Sequence, residues 1–339
     1  MLKKIITFIF FSMVNPMVYG QSDGQRSFEF MNIPSSAKLM GLGGVNISQA
    51  NEDLNLAYSN PALTSDTLSG MVSFNYLSYF ANVGVASFIY QHSLGKYGPW
   101  HIGVHHVDYG EIDGYDDTGG DLGEFQAGET VVFLGKSHQV RHFTVGANLK
   151  FAYSGIAGYS SSALLMDLGG IFQHPNINFS AGLAIKNLGV ILSDYSETSD
   201  SSLPFDVQVG MTFKPEHMPF RFSFTGHHLH QGDISYYDAG QSSGQEEPGK
   251  FDKIFRHIVV GAELLLTKNV NLRFGYNHLV RQELKLEEAA GGAGFSYGLM
   301  FRVKAFEFAY SRGGYHVAGG AHSFTLTANT NMFFRKGKV

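Results

Sequence analysis

Segments in which every second residue is apolar recur along most of this chain. Residues 143–151 set Phe143, Val145, Ala147, Leu149 and Phe151 against Thr144, Gly146, Asn148 and Lys150. Residues 177–186 set Ile177, Phe179, Ala181, Leu183 and Ile185 against Asn178, Ser180, Gly182, Ala184 and Lys186. Phe220, Phe222 and Phe224 alternate with Arg221, Ser223 and Thr225, and Leu272, Phe274 and Tyr276 with Arg273, Gly275 and Asn277. Near the end, Phe324, Leu326, Ala328 and Met332 oppose Thr325, Thr327, Asn329 and Asn331. Side chains on a strand point alternately to opposite faces, so each segment predicts a strand with one apolar and one polar side.

The connectors add a second rhythm. Short ones fall at Gly95–Gly98, Gln139–Arg141, His174–Asn176, Pro215–Pro219, Thr267–Asn269 and Val303–Ala305. Between them lie longer polar stretches near 110–124, 154–161, 189–204, 231–253, 281–293 and 312–321. A transmembrane antiparallel β-barrel has tight turns on one rim and long loops on the other. The pattern predicts about fourteen strands, near 69–79, 82–94, 99–109, 125–138, 141–153, 162–173, 177–188, 205–214, 219–230, 254–267, 270–280, 294–303, 305–311 and 322–334. Tyr79–Asn82 is the one short connector on the long-loop side. A soluble β-sandwich would also alternate, but it has no reason to sort loop length by parity.

The first twenty residues give the compartment. Lys3 and Lys4 precede the apolar run Ile5–Val14, and Val18-Tyr19-Gly20 offers a cleavage site before Gln21, so 1–20 reads as a signal peptide. The run is shorter than the ~18 apolar residues of a membrane helix. Residues 21–68 do not follow the strand rhythm and read as an N-terminal hatch or plug folded into the barrel, or as a periplasmic extension; a barrel this wide is not filled by its own side chains, which makes room for the plug. Residues 69–334 then form the barrel, and 335–339 (Arg335, Lys336, Gly337, Lys338, Val339) a basic tail beyond Phe333-Phe334.

Composition fits. The chain has 41 Gly, 29 Phe and 17 Tyr against 9 Pro, as an aromatic-girdled sheet protein would. It has no cysteine, which removes disulfides and thiolate zinc sites. A formal charge of −5 with no basic block argues against nucleic acid as a partner.

Several motifs invite chemical readings. Gly294-Phe295-Ser296-Tyr297-Gly298 spells a hydrolase nucleophile elbow, but it falls in a predicted strand rather than a strained strand-to-helix turn. Gly41-Leu42-Gly43-Gly44-Val45-Asn46 approaches a dinucleotide loop without the third glycine or a following βαβ unit. Turn glycines are the expectation. His227, His228 and His230 would put two imidazoles on one strand face with no third ligand in view, so neither a metal nor a cofactor is expected. Acidic residues crowd the long connectors, whereas Lys96, Arg141, Lys214, Lys268, Lys304 and Arg335 mark the opposite rim. The candidate docking residues are Glu111, Asp113, Tyr115, Asp116, Asp117, Asp194, Tyr195, Asp233, Tyr236 and Tyr237; the candidate hatch residues are Gly41, Gly43, Gly44, Asn60 and Pro61.

Met31–Leu39, the glycine turn at 41–44 and Tyr58-Ser59-Asn60-Pro61-Ala62-Leu63 resemble the approach to the first strand of FadL-like barrels. That superfamily has fourteen strands and an N-terminal hatch. Tyr109–Asp116, Ala147–Phe151, Leu203–Gln208 and Lys214–Pro219 are similar to its PorQ-type members, which belong to the type IX secretion system. The resemblance implies a non-enzymatic outer-membrane anchor for a surface attachment complex. Its partners would be a PorZ-like surface protein, the sortase PorU, a PorV-like barrel and lipopolysaccharide. Long loops would be extracellular and both termini periplasmic. The alternative that the superfamily implies is uptake of hydrophobic small molecules.

Overall fold

The computed structural model describes residues 26–334 except 51, 80–82, 117, 197, 200, 236–247, 285–290 and 317–318. The expected signal peptide at 1–20, the basic tail, Asp117, Tyr236, Tyr237 and most of the Tyr79–Asn82 connector therefore lie outside the described residues.

Fourteen strands close into one antiparallel barrel in which each strand pairs with its neighbours in sequence. They are β1 (Met71–Ser78), β2 (Gly84–Ser93), β3 (Pro99–Tyr115), β4 (Asp121–Val140), β5 (Phe143–Ile156), β6 (Tyr159–Gln173), β7 (Phe179–Ser193), β8 (Asp206–Phe213), β9 (Phe220–Gly226), β10 (Ile258–Leu265), β11 (Val270–Asn277), β12 (Phe295–Val303), β13 (Phe306–His316) and β14 (Gly319–Asn329). The seam joins the two ends of the chain, with β1 on β14 from Met71↔Asn329 to Ser78↔His322.

The polarity of this barrel is inverted relative to a water-soluble one. Phe74, Phe88, Leu134, Leu149, Phe151, Met211, Phe274, Leu299 and Phe324 are all exposed on the outside. Asn75, Gln91, Asn148, Lys150, Asp167, Arg221, Glu263, Arg273 and Thr325 are buried on the inside. Apolar side chains displayed around a closed sheet, with polar ones lining its lumen, define a membrane-spanning barrel. None of the described helices is long and apolar enough to cross a membrane, so the strands do the crossing.

Strand ends depart from the sequence expectation in instructive ways. The stretch 110–124 is largely a ribbon rather than a loop, because β3 continues to Tyr115 and β4 starts at Asp121. The stretch 154–161 closes in a tight turn at Ala157 and Gly158 (φ 50° and 85°), the left-handed pair that matches hairpin twist. β13 and β14 likewise shrink 312–321 to the two residues between them. β9 stops at Gly226, so His227, His228 and His230 are not on a strand. Two helices, α1 (Lys250–Arg256) and α2 (His278–Leu284), occupy stretches expected to be strand or loop. The three connectors that remain long, 194–205, 227–257 and 278–294, share one rim, but that rim also carries tight turns.

Strand height is uneven. β3 and β4 run 17 and 20 residues, whereas β8 and β9 run 8 and 7. A strand crosses the hydrocarbon in ~9–11 residues. The β3–β4 ribbon therefore stands clear of the membrane on the long-loop rim, whereas β8 and β9 end low.

Candidate functional site: the sealed lumen and the long-loop rim

Most of the described residues of 27–64 are buried inside the barrel, and they join the wall through two different chemistries. Toward β2–β6 the contact is apolar: Phe28, Phe30, Met31, Leu54 and Tyr58 form one buried cluster with Ile89, Val107, Val131, Phe133 and Leu165. Tyr58 stacks on His105 at 5.4 Å and meets Phe133 at a tilt, 5.1 Å between ring centres. The Lys150 ammonium sits 4.6 Å above the Tyr58 ring while pairing with Asp167 at 2.6 Å. Neither Lys150 nor Asp167 reaches water, so each depends on the other.

Toward β9–β11 the contact is ionic. Glu263 is fully buried and accepts from Gln49 Nε2 (2.6 Å), Arg221 Nε (2.7 Å) and Arg273 Nε (3.3 Å). Arg221 also pairs with Glu52 of the hatch, which lies 3.8 Å from Lys38. Hatch and wall thus contribute to a single charge network.

The hatch motifs now have physical roles. The Asn60 side chain accepts from Ala62 N (3.0 Å), capping the 3-10 turn Pro61–Leu63, while its Nδ2 donates to Ile47 O (2.9 Å). Proline at the first position of such a turn loses no hydrogen bond. Gly43 and Gly44 have φ of 93° and 95°, ending the short helix Ala37–Gly41 in a conformation that glycine adopts without strain. Gly41 packs so closely that a Cβ would stand 2.7 Å from Ser311 Oγ.

Wall glycines complete the seat. A Cβ on Gly146 would meet Pro61 C at 2.6 Å, on Gly169 Asn60 Oδ1 at 2.0 Å, on Gly182 Ile47 O at 2.4 Å and on Gly275 Gly43 N at 2.1 Å. These inward positions let the hatch backbone lie directly on the sheet. Sequence alone leaves them ambiguous between wall and kink, because the atoms they accommodate are remote along the chain.

The seal leaves little apolar room. The space bounded by Tyr58, Ile89, Val104, His105 and Phe133 measures about 10 Å³. The larger lumenal cavity, about 770 Å³, opens on the short-turn side and is lined by charged residues.

On the opposite rim the candidate docking residues divide by what their side chains already do. Asp116 accepts from Thr118 N (2.8 Å), Thr118 Oγ1 (2.7 Å) and Gly120 N (2.6 Å), and the Thr118 hydroxyl leads in holding its carboxyl below the usual range. Asp233 is brought down to about 2, first by the Ser235 hydroxyl and then by its backbone N–H, and it pairs with Lys253 at 2.9 Å. At Asp194 burial would raise the pKa, but bonds from Tyr195 N and Ser201 outweigh it and hold the carboxyl low. Tyr195 donates to Ser154 Oγ at 2.5 Å. These four residues build their own loops. Glu111, Asp113 and Tyr115 instead stand exposed on the β3–β4 ribbon, where Asp113 faces Glu124 across the ladder. Like charges directly opposite destabilise an isolated ribbon.

The histidine cluster is a loop junction. His227 Nδ1 lies 2.6 Å from His228 Nδ1, His257 Nδ1 meets His227 O at 2.9 Å, and Asp206 Oδ1 accepts from His228 N at 2.6 Å. Among the described residues no group of His, Cys, Asp and Glu is arranged to hold a metal. Burial, then the neighbouring His228, pushes His227 well below the ordinary imidazole pKa, although Asp206 pulls the other way. Its neutral form is therefore favoured by the fold. The unfolded loop takes up a proton first, so stability is present above the ordinary value of about 6.5 and declines as pH falls. Acidification from pH 7.5 to 5 is expected to lower the amide protection factors of 227–231 and 250–257, read as the observed exchange rate relative to the intrinsic rate at each pH. The loss approaches 1.4 kcal/mol per pH unit below about 6.5, and His227→Phe should flatten the response.

Ser296 of the elbow-like motif lies on the inner face of β12, opposite Gly275, with no hydrogen-bond partner for its hydroxyl.

No family model matches the chain, and neither does any curated protein. Among solved structures, a Pseudomonas aeruginosa FadL homologue is 10% identical over 87% of this chain and 98% of its own, with a TM-score of 0.47. The TodX monoaromatic hydrocarbon channel (deltaS2 mutant) is 11% identical over 88% and 97%, with a TM-score of 0.47. Omp33 of Acinetobacter baumannii is 9% identical over 76% and 96%, with a TM-score of 0.39.

Proposed function

We propose that this barrel is a non-enzymatic outer-membrane anchor for a cell-surface protein complex. The observation that carries the reading is the hatch, fixed to the wall by a buried charge network on one side and an apolar interface on the other. A lumen closed in this way suits a fixed mount. The tall β3–β4 ribbon supplies an exposed acidic surface on the opposite rim from the ion-lined cavity. In this reading that rim faces outward and both termini face the periplasm. The PorQ-like stretches at 109–116, 147–151, 203–208 and 214–219 support assignment to the type IX attachment machinery. The partners would then be a PorZ-like protein, PorU and a PorV-like barrel, with lipopolysaccharide as the surrounding lipid. Pull-down of the tagged barrel from mild detergent extracts is expected to recover a PorZ-like protein. Glu111→Gln/Asp113→Asn should reduce that recovery, and failure to recover it across several detergents would sink the reading.

One observation favours a second reading, uptake of hydrophobic molecules. Register shifts between Met166 and Leu168 on the β6 side of β7, Asn187 has φ 57°, and β7 beyond Lys186 has no ladder to β8. A wall discontinuity of this kind is where a lateral exit would form. Slower growth of a deletion strain on hydrophobic carbon sources would support transport; unchanged growth would dismiss it.

A further inference from the structure

The hatch does not fill the lumen on the short-turn side. There a cavity of about 770 Å³ lies between the end of the hatch at Leu68 and the turns holding Lys268 and Lys304. This is the size of a small-molecule site, for which ~300–1,000 Å³ is usual. The hatch closes it at the inner end.

Six cationic side chains line the cavity: Lys38, Arg221, Lys268, Arg273, Arg302 and Lys304. Only two carboxylates do so, Glu52 and Glu307. Glu307 is taken by Arg302 at 2.6 Å, and Glu52 is shared by Arg221 and Lys38. Glu263, behind the lining, reduces the excess of positive charge without cancelling it. Among the described residues, no carboxylate pairs with Lys268 or Lys304. Arg273 adds an independent sign: it is 2% exposed, and its Nη1 has no hydrogen-bond partner. A buried guanidinium nitrogen left without an acceptor is costly, and such groups in native proteins usually have one.

We propose that this cavity is a binding site for a small polyvalent oxyanion carrying phosphate or carboxylate groups. The unpartnered Arg273 Nη1 is a donor that suits the oxygens of either group, while Arg221 and Arg302, engaged with Glu263, Glu52 and Glu307, add positive charge around it. Lys268 and Lys304 stand at the mouth as mobile point charges. A blind cavity of this volume takes a solute rather than a folded partner, and the site is independent of whatever docks on the other rim.

The test uses the full-length barrel in detergent, titrated calorimetrically with inorganic pyrophosphate and, separately, citrate at constant ionic strength. Saturable binding near one equivalent is expected for at least one anion, and the preferred one identifies phosphate or carboxylate chemistry. Lys268 and Lys304 are exposed turn residues, so Lys268→Gln/Lys304→Gln should leave heat-modifiable migration unchanged. It should weaken binding by roughly tenfold or more, as expected for losing two charges that face the ligand. Lys96→Gln/Arg141→Gln removes the same charge from the same rim outside the cavity and should change affinity by less than about twofold. Non-saturating heats for both anions would overturn the proposal. So would equal weakening by the two double variants, which would leave only a diffuse basic rim.

Discussion

Replacing Glu263 by glutamine is expected to destabilise the hatch–wall junction by about 3–5 kcal/mol, the usual cost of removing one partner from a buried charge pair. The carboxylate is fully buried and is the shared acceptor for Gln49, Arg221 and Arg273. Without it, Arg221 and Arg273 lose the carboxylate they share, with Glu52 of the hatch left for Arg221. The measurement is amide exchange of residues 38–60 in detergent-solubilised protein, alongside the heat-unfolding midpoint. Arg302→Gln is the internal comparison. Its pair with Glu307 is 2.6 Å long, but the arginine is 44% exposed, so solvent screening should hold the loss to about 1 kcal/mol or less. Equal effects from the two substitutions would refute the ionic seal.

The second large effect concerns Gly275→Val. Its Cβ would meet Gly43 N at 2.1 Å and Leu42 C at 2.4 Å, both backbone atoms that no rotamer change can move aside. Overpacking of this kind costs typically ~1–3 kcal/mol. Here it falls on the hatch, because the β11 backbone is held on both sides by β10 and β12. The barrel should keep its strand signature while the hatch lifts. In planar bilayers the native barrel is expected to be electrically silent and the variant to show discrete ion-conducting steps. A variant as silent as the native protein would mean that the hatch is not what closes the lumen.

Period-two alternation was readable wherever the two faces of a strand meet different surroundings, as at Phe143–Phe151, because the outward residue meets lipid and the inward one meets the polar lumen. It failed where that difference vanishes. On the ribbon from Asp108 to Tyr115 both faces are largely wet, so Asp108, Glu111 and Asp113 interrupt the apolar alternation and the sequence resembles a loop. At 154–161, glycine and serine suggested length, but Ala157 and Gly158 need only two residues to turn. His227, His228 and His230 had strand-like spacing yet follow the last residue of β9. Asn60, Pro61 and the glycines at 41–44 marked turns in the sequence, and the reading of that segment as a hatch came with the family resemblance they carry. The charge network did not announce itself, since Lys38, Glu52, Arg221, Glu263 and Arg273 meet only after closure.

The β1–β14 seam has a consequence for the order of assembly. Ala37 N donates to Thr325 Oγ1, Ser311 donates to Ala37 O, and Gly41 rests against Ser311 and Arg273. The wall atoms that receive the hatch are therefore among the last made, and the cylinder does not exist until Met71 finds Asn329. Pairings so distant along the chain are slow to form, because loop closure must precede any gain from contact. The segment synthesised first thus waits, unhoused, for the strands synthesised last. During that interval Phe28, Phe30, Leu54 and Tyr58 have only β2–β6 to pack on, in a sheet not yet closed around them. The step at which this protein is most exposed to aggregation lies before closure, in transit rather than in the membrane.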